Sequence, residues 1–539
     1  MGACFRSRPT TRISSSTSMP FRWGPRSVPC RCWRCSRTRT GGIPPERSVE
    51  ANTSRENVMT ETDLSRRAVL ALGAAGTVLA PTLVRGQQIT MRPNEDGPYD
   101  LVLAGGRVID PESGFDAVRN VGLKGGRIAA ISDVRLDGSE TLDAAEMIVA
   151  PGFIDLHAHG QQLPAAWVQA FDGVTTALEL ESGLLPISRY YDLTAAEGRP
   201  INYGASVAWT YARISEKEGI EPDGTLQWFQ QAFALNTWQN TLATPEELER
   251  ILDRVEGGLR DGGIGIGINA GYAPGYGRKE YHELARLAAR HEVPTFTHVR
   301  YISVIEPLSA FEALEELVAL AAATGAHMHV CHLNSSAGRD VEICAELLKG
   351  AQDRGLPISV EAYPYGAGSS AVGAELYRGN WLERWGAPDA SSLELNGVPL
   401  TQAKIDELQA AEPGAVVVMH FLRPDDDAED RRLLDRSVLF PGAAIASDGM
   451  PWSLGASLVE GDVWPLPDGA FAHPRSAGCY ARFISGWVRE RKAIPLVDAL
   501  AKTSLIPAQI LEASTPQMKT KGRLQVGALP TSSSSISPR

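Results

Sequence analysis

The chain is poor in cysteine. Of 7 in 539 residues, four fall within the first 35 positions, and only Cys331, Cys344 and Cys479, far apart, follow. That excludes a disulfide framework for the body of the protein. Cys30, Cys32 and Cys35 lack the second matched pair that a zinc knuckle needs. Long apolar runs are also scarce. The candidate run, from Ala68 to about Val84, contains Gly and Pro and falls short of the ~20 residues that span a bilayer, so no stable membrane anchor is expected. Lysine is absent from residues 1–58, which hold 11 Arg and 3 Glu; their net +8 leaves −20 on the rest of a chain whose formal charge is −12. An acidic body argues against a nucleic-acid partner.

Residues 1–58 read as a disordered Arg/Ser/Pro-rich extension, non-native and upstream of a better start at Met59. Residues 59–88, MTETDLSRRAVLALGAAGTVLAPTLVRGQQ, have the form of a twin-arginine export signal: Arg66 and Arg67 after Ser65, then the apolar run. The expected partner is the twin-arginine machinery, which carries folded proteins, and the expected location is the periplasm or beyond.

Residues 97–148 read as short strands broken by Gly-Gly turns, a small β module with too few strands to stand alone. From there to about residue 510, short apolar strands alternate with helical patterns such as PEELERILDRVEGGLRDGG and FEALEELVALAAATG. Such alternation predicts a parallel sheet. The strand candidates are GFIDLHAH, GVTTALELE, INYGASVAWT, GIGIGINAGY, VPTFTHV, HMHVCHL, PISVEAYPY, AVVVMHF and AAIASDG. A closed eight-stranded α/β barrel with an insertion absorbs these nine best. A doubly wound open sheet is the alternative, but no G-x-G-x-x-G turn follows an early strand.

Chemistry in such a barrel sits at the C-terminal strand ends. Those ends carry His157 and His159, then Glu181 with Glu179 two residues before it, His298, His332 and Asp448. Residues i and i+2 of an extended segment share a face, so His157 and His159 can converge. A lone His or Asp at a strand end is usually a satisfied polar group. Five strand ends that all present imidazole or carboxylate point instead to one or two Zn2+ or similar divalent ions.

The motifs APGFIDLHAHG, THVR, CHL, EAYPY, ASDG and KGRLQVGA, in this order over about residues 98 to 528, resemble the amidohydrolase superfamily and, within it, the D-aminoacylase (N-acyl-D-amino-acid deacylase) branch. The resemblance implies a metal-bearing (β/α)8 TIM-like barrel, over residues 149–510, beside a small β-sandwich built from both chain ends. It implies hydrolysis of the amide of a small N-acyl-D-amino acid, with His157, His159 and Asp448 at one metal, His298 and His332 at the other, and Asp448 as general base. Tyr272, Tyr363 and Tyr365 would line the substrate pocket, and Arg475 would hold the substrate carboxylate. A cyclic amidase, a dipeptidase for D-residues and an inactive metal-binding product of a damaged gene remain alternatives.

Three departures stand out. Relatives carry a bridging Cys in GNCG, where this chain has LELESG. Glu181, in preference to Glu179, is expected to bridge instead. Trp209 replaces a family His although Arg213 remains, and Asn334 stands where a basic residue would read an acidic side chain. The segment 511–539 reads as the remnant of the second β segment with an aberrant tail. Relatives continue after KGRLQVGA with an apolar strand that pairs near residues 100 to 130. The run TSSSSISPR lacks the apolar period and β-branched content for that strand, so it is expected not to form, and a reading-frame shift suffices as cause.

Overall fold

A computed structural model describes residues 98–455 and 457–530, with the backbone of 532–535. The basic head, its cysteines and the twin-arginine segment lie outside the described residues.

The chain opens with an antiparallel meander of β1 (Tyr99–Asp110), β2 (Phe115–Lys124) and β3 (Arg127–Ser132). β4 (Gly138–Asp143) and β5 (Ile148–Pro151) run parallel to successive halves of β1. The barrel then starts with β6 (Phe153–Asp155) and β7 (Val174–Leu184). It continues through β8 (Asn202–Ala208), β9 (Ile266–Asn269), β10 (Thr295–His298), β11 (Met328–Val330) and β12 (Ile358–Ala362). Next, β13 (Ala367–Ala371), β14 (Leu393–Leu395), β15 (Val398–Pro399) and β16 (Val416–His420) form a separate four-stranded sheet. β17 (Ala444–Ile445) returns to the barrel as its last strand. A short hairpin of β18 (Ser453–Leu454) and β19 (Ser457–Leu458) follows, and β20 (Ser532–Ser535) ends the described chain.

Eight parallel strands in the order β17-β12-β11-β10-β9-β8-β7-β6 make the barrel. Its ends meet where Ala158 bridges Gly449 and where the Ser447 N–H donates to Asp155 Oδ1 at 3.0 Å. The nine sequence candidates thus resolve into eight barrel strands and one outsider: AVVVMHF is β16, in the insertion. INYGASVAWT stops being strand at Ala208, because Trp209 already starts the helix Trp209–Glu218.

The outer helices follow their apolar periodicity. Pro245–Arg260 buries Ile251, Val255 and Leu259, four residues apart. It is opened by a capping box in which Thr244 Oγ1 accepts from the Glu247 N–H at 3.2 Å and Glu247 Oε2 accepts from the Thr244 N–H at 2.8 Å.

One expectation is overturned. The serine run forms β20, antiparallel to β5, with Ser532 opposite Pro151 and Ser535 opposite Ile148. Strand pairing is made by backbone groups, and the free edge of β5 offers them whatever side chains approach. The segment before it also belongs to the module: Leu524 and Ala528 are buried with Leu103, Val108 and Val121, and the Gly527 N–H donates to the Ile128 carbonyl at 2.8 Å.

Inside the barrel, Gly267 of β9 has no room for a side chain. A Cβ there would lie 2.5 Å from the Glu181 carbonyl oxygen and 2.8 Å from that of Leu180. Gly267→Ala should therefore destabilise the fold by about 1–3 kcal/mol and displace the backbone that carries Glu181. Denaturant unfolding and metal content of the folded variant together check this; a variant with native stability and native metal content refutes it.

Candidate metal centre

His157 and His159 follow β6 on extended backbone, and their Nε2 atoms lie 3.1 Å apart. Glu181 Oε2 is 3.3 Å from His157 Nε2 and 3.4 Å from His159 Nε2. Asp448 Oδ1 is 3.4 Å from each. Ligands about 2.0–2.1 Å from a zinc ion stand roughly 3.3–3.4 Å apart at the corners of a tetrahedron. The five separations that involve an imidazole nitrogen keep close to that spacing.

A second group shares Glu181. His298 Nδ1 and His332 Nε2 each lie 2.8 Å from Glu181 Oε1, and 3.1 Å from one another. The two oxygens of one carboxylate thus face two different ligand sets. A bulge makes this possible: β7 and β8 pair at Glu179 and Ala205, then only at Leu184 and Val207. The extra residues of β7 re-aim Glu181 into the centre, where Asn269 Nδ2 donates to its Oε2 at 3.0 Å. Glu179, on the regular part of the strand, instead accepts from His159 Nδ1 at 2.9 Å.

Tautomers supply the test of fit. His157 Nδ1 lies 2.5 Å from Glu361 Oε1, and His159 Nδ1 lies against Glu179. Both Nδ1 atoms therefore carry the proton, which leaves both Nε2 atoms as acceptors. Two imidazole lone pairs and two carboxylate oxygens then converge with no proton among them, an arrangement that calls for a cation. The protein's own charges show the same demand. Burial opposes charge on His157, but Asp448, Glu181 and Glu361 outweigh it and raise its pKa well above the ordinary imidazole value. Burial likewise opposes charge on Asp448, yet Arg475 and then His157 hold its carboxyl well below the usual range. Asp448 and His332 also sit at left-handed backbone angles, with φ of 51° and 34°. Such conformations cost of order 1–3 kcal/mol each and collect at functional sites.

The remaining expected residues divide. Tyr272 and Tyr363 line a cavity that opens over His159, Glu181, His298, His332 and Asp448. Tyr272 lies against the His298 ring, with centroids 4.8 Å apart. Tyr365 does not reach the cavity: Arg482 covers its ring at 4.8 Å, and its hydroxyl turns to the Pro474 carbonyl. Asn334 clamps this turn, accepting from the Tyr363 N–H and donating to the Tyr365 carbonyl. Arg475 is buried behind Tyr363, its guanidinium 4.6 Å from that ring, with Nη2 2.8 Å from Asp448 Oδ1. None of its Nε, Nη1 and Nη2 atoms makes a hydrogen bond of sound angle. Trp209 and Arg213 lie apart, both bonded to buried Glu280 at 2.8 and 2.7 Å. The sequence reading missed Glu361, although period two from Ser359 along VEAYPY aims it into the barrel. It also missed Ser335 and Ser336, whose hydroxyls lie 3.0 and 3.1 Å from His332 Nδ1.

No family model matches the chain. It is similar to an N-acyl-D-glutamate deacylase of Alcaligenes xylosoxydans xylosoxydans, 26% identical over 459 residues that cover 80% of this chain and 86% of the relative. A D-aminoacylase of the same organism is 26% identical over 485 residues, 81% of this chain and 88% of that one. Among solved structures, the chain shares its fold with the N-acyl-D-glutamate deacylase of Bordetella bronchiseptica complexed with zinc and a phosphonate inhibitor that mimics the reaction's tetrahedral intermediate. The TM-score is 0.62 at 21% identity, over 80% of this chain and 89% of that one.

Glu181→Gln should cost the protein both ions of a pair, since each ligand set loses a charged oxygen. Glu179→Gln should weaken affinity by about 10–100-fold, as expected of a group that orients a ligand. Metal analysis after dialysis against a graded chelator ranks the two. Equal losses, or none, contradict the bridging geometry.

Proposed function

We infer that this chain is a metal-dependent amidohydrolase of the D-aminoacylase branch, which hydrolyses the linear amide of N-acyl-D-amino acids to a carboxylate and a free D-amino acid. The observation that carries this reading is the two-sided ligand set around Glu181, with Asp448 opposite, at the C-terminal end of the barrel. Relatives that span four fifths of the chain support the reaction class.

Amide hydrolysis needs a nucleophile, a polarised carbonyl and a proton for the leaving nitrogen. His157, His159, Glu181, His298, His332 and Asp448 would hold a divalent ion, which would supply a nucleophilic water at neutral pH and polarise the carbonyl. Asp448 accepts the proton of that water and delivers it to the departing nitrogen, a contribution of about 10²–10⁴-fold. Arg475 keeps Asp448 ionised before the reaction. Its Nε and Nη1 groups, which make no hydrogen bond, also suit the substrate carboxylate, reached past Gly368, where a Cβ would stand 3.6 Å from Nη1. The outer walls, with Phe229, Phe233, Leu376, Tyr377 and Trp385, carry no Lys or Arg. An apolar acyl or side chain fits them better than a second carboxylate does. Export through the twin-arginine route belongs to the same proposal, supported by Arg66, Arg67 and the apolar run after them; fractionation of cells that make the chain from Met59 tests it.

Asp448→Asn should reduce kcat by at least about 10²-fold while the folded protein keeps metal at His298 and His332. Near-normal turnover would remove Asp448 from the chemistry. Arg475→Lys should raise KM for N-acetyl-D-leucine more than it lowers the melting temperature. Unchanged kinetics would leave Arg475 a packing residue. A screen of N-acyl-D- against N-acyl-L-amino acids, with and without zinc, decides the reaction itself.

A further inference from the structure

The barrel interior holds a line of hydrogen bonds that the chemistry above does not use. Its lower end is His327, half-buried just before β11, whose Nε2 lies 2.7 Å from Ser359 Oγ. Ser359 Oγ lies 2.8 Å from His329 Nδ1, and His329 Nε2 lies 3.1 Å from Glu361 Oε2. Glu361 Oε1 then meets His157 Nδ1 at 2.5 Å. His329 and Glu361 are almost fully buried. The alternation of β11 and β12 puts His327, His329, Ser359 and Glu361 on one side. A (β/α)8 barrel normally fills these layers with Val, Ile and Leu. Polar groups there cost stability unless every one is satisfied.

They are satisfied in one direction. Glu361 lies between two rings, with Oε1 at His157 Nδ1 and Oε2 at His329 Nε2, and a carboxylate placed so offers both only acceptor oxygens. Both of its hydrogen bonds therefore come from imidazole N–H groups. His329 directs its proton at Glu361, so its Nδ1 accepts from the Ser359 hydroxyl. That hydroxyl, its proton committed, accepts from His327 Nε2. Burial, and then His329, push His327 down to about 4, so it is neutral. Each link fixes the tautomer of the next.

We propose that His329, through Glu361, is a positioning residue for the metal centre: the line His327–Ser359–His329–Glu361 locks the His157 ring with its proton on Nδ1 and its lone pair on the ion-facing Nε2. The ring has a competing environment, because His157, Cys331 and Glu361 also form a group whose ligand atoms lie within 4.8 Å of one another. With Glu361 held at both oxygens, its charge remains aimed at the Nδ1 proton, and the ring does not turn that nitrogen to a metal. The inference rests on the metal-centre reading above.

The test uses the full chain and Zn2+ or Co2+ alone. His329→Leu breaks the line in an apolar way. It should lower Zn2+ affinity by about 10–100-fold in chelator competition and change the visible spectrum of the Co2+-loaded protein. His329→Gln presents one donor and one acceptor at a spacing like that of the ring, and should restore both readouts. Ser359→Ala removes the next link and serves where the leucine variant does not fold; a smaller shift in the same direction is expected. If His329→Leu or Ser359→Ala lowers the melting temperature but leaves affinity and spectrum unchanged, the line is structural only and the proposal fails. If the unaltered protein binds neither ion, the metal-centre reading fails and this proposal with it.

Discussion

The rest of the molecule answers to one crowded point. Two imidazole nitrogens stand 3.1 Å apart, each 3.3–3.4 Å from the same two carboxylate oxygens. Burial opposes charge on every one of these groups. The fold imposes their geometry from outside. It does so with closed parallel strands, a bulge in β7, two left-handed residues at ligand positions, and a carboxylate behind each of the first two histidines. Each device is costly alone. Together they fix the ligand atoms in place, and preorganisation of that kind lets a bound ion act on the substrate and not on the protein.

The stability that offsets this cost lies on the other side of the strands. Val330 and Val360 alternate with His329 and with Ser359 and Glu361, so the apolar members face outward. There they join Leu284, Leu287, Leu314 and Leu317 of the surrounding helices in one continuous core. At β11 and β12 the pleat divides the barrel: the inside carries the polar line, and the outside buries hydrocarbon. In the insertion between β12 and β17, Ser370 of β13 and Met419 of β16 stand in the cavity wall, and Met419 also packs into the core on the same face as Val417.

Much of this was readable from the chain because strand ends are. A polar ligand that breaks an apolar run, as in GFIDLHAH or AAIASDG, is visible without a structure, and so was the excess of one strand over eight. Which strand was in excess was not visible: β16 has the same apolar run as a barrel strand, and only its antiparallel pairing to β13 and β14 sets it apart. Glu361 and His329 escaped for the opposite reason. They lie within strands, where one polar residue in alternation reads as a solvated face and not as the lining of a barrel. Tyr365 was misplaced because a side chain two residues beyond Tyr363 shares its face only while the strand lasts, and β12 stops at Ala362. The serine tail was misjudged by side-chain propensity, where an open backbone edge decided the pairing.

Glu181, standing where the sequence resemblance leads one to expect a bridging cysteine, is the departure with the widest physical consequence. A thiolate bridges through one soft atom, so both ions must approach that atom and each feels the other's charge at short range. A carboxylate would bridge through two hard oxygens, one for each ligand set, and Oε2 and Oε1 of Glu181 face the two sets in that way. The two sets can then be filled more independently, and the site loses part of the thiolate's preference for soft ions. Two features of the local backbone set this geometry: the bulge that turns Glu181 inward, and Gly267, where a Cβ would strike the Glu181 and Leu180 carbonyl oxygens and push that segment away from β9. The position of the Glu181 carboxylate is thus bound to the backbone of β7 and β9.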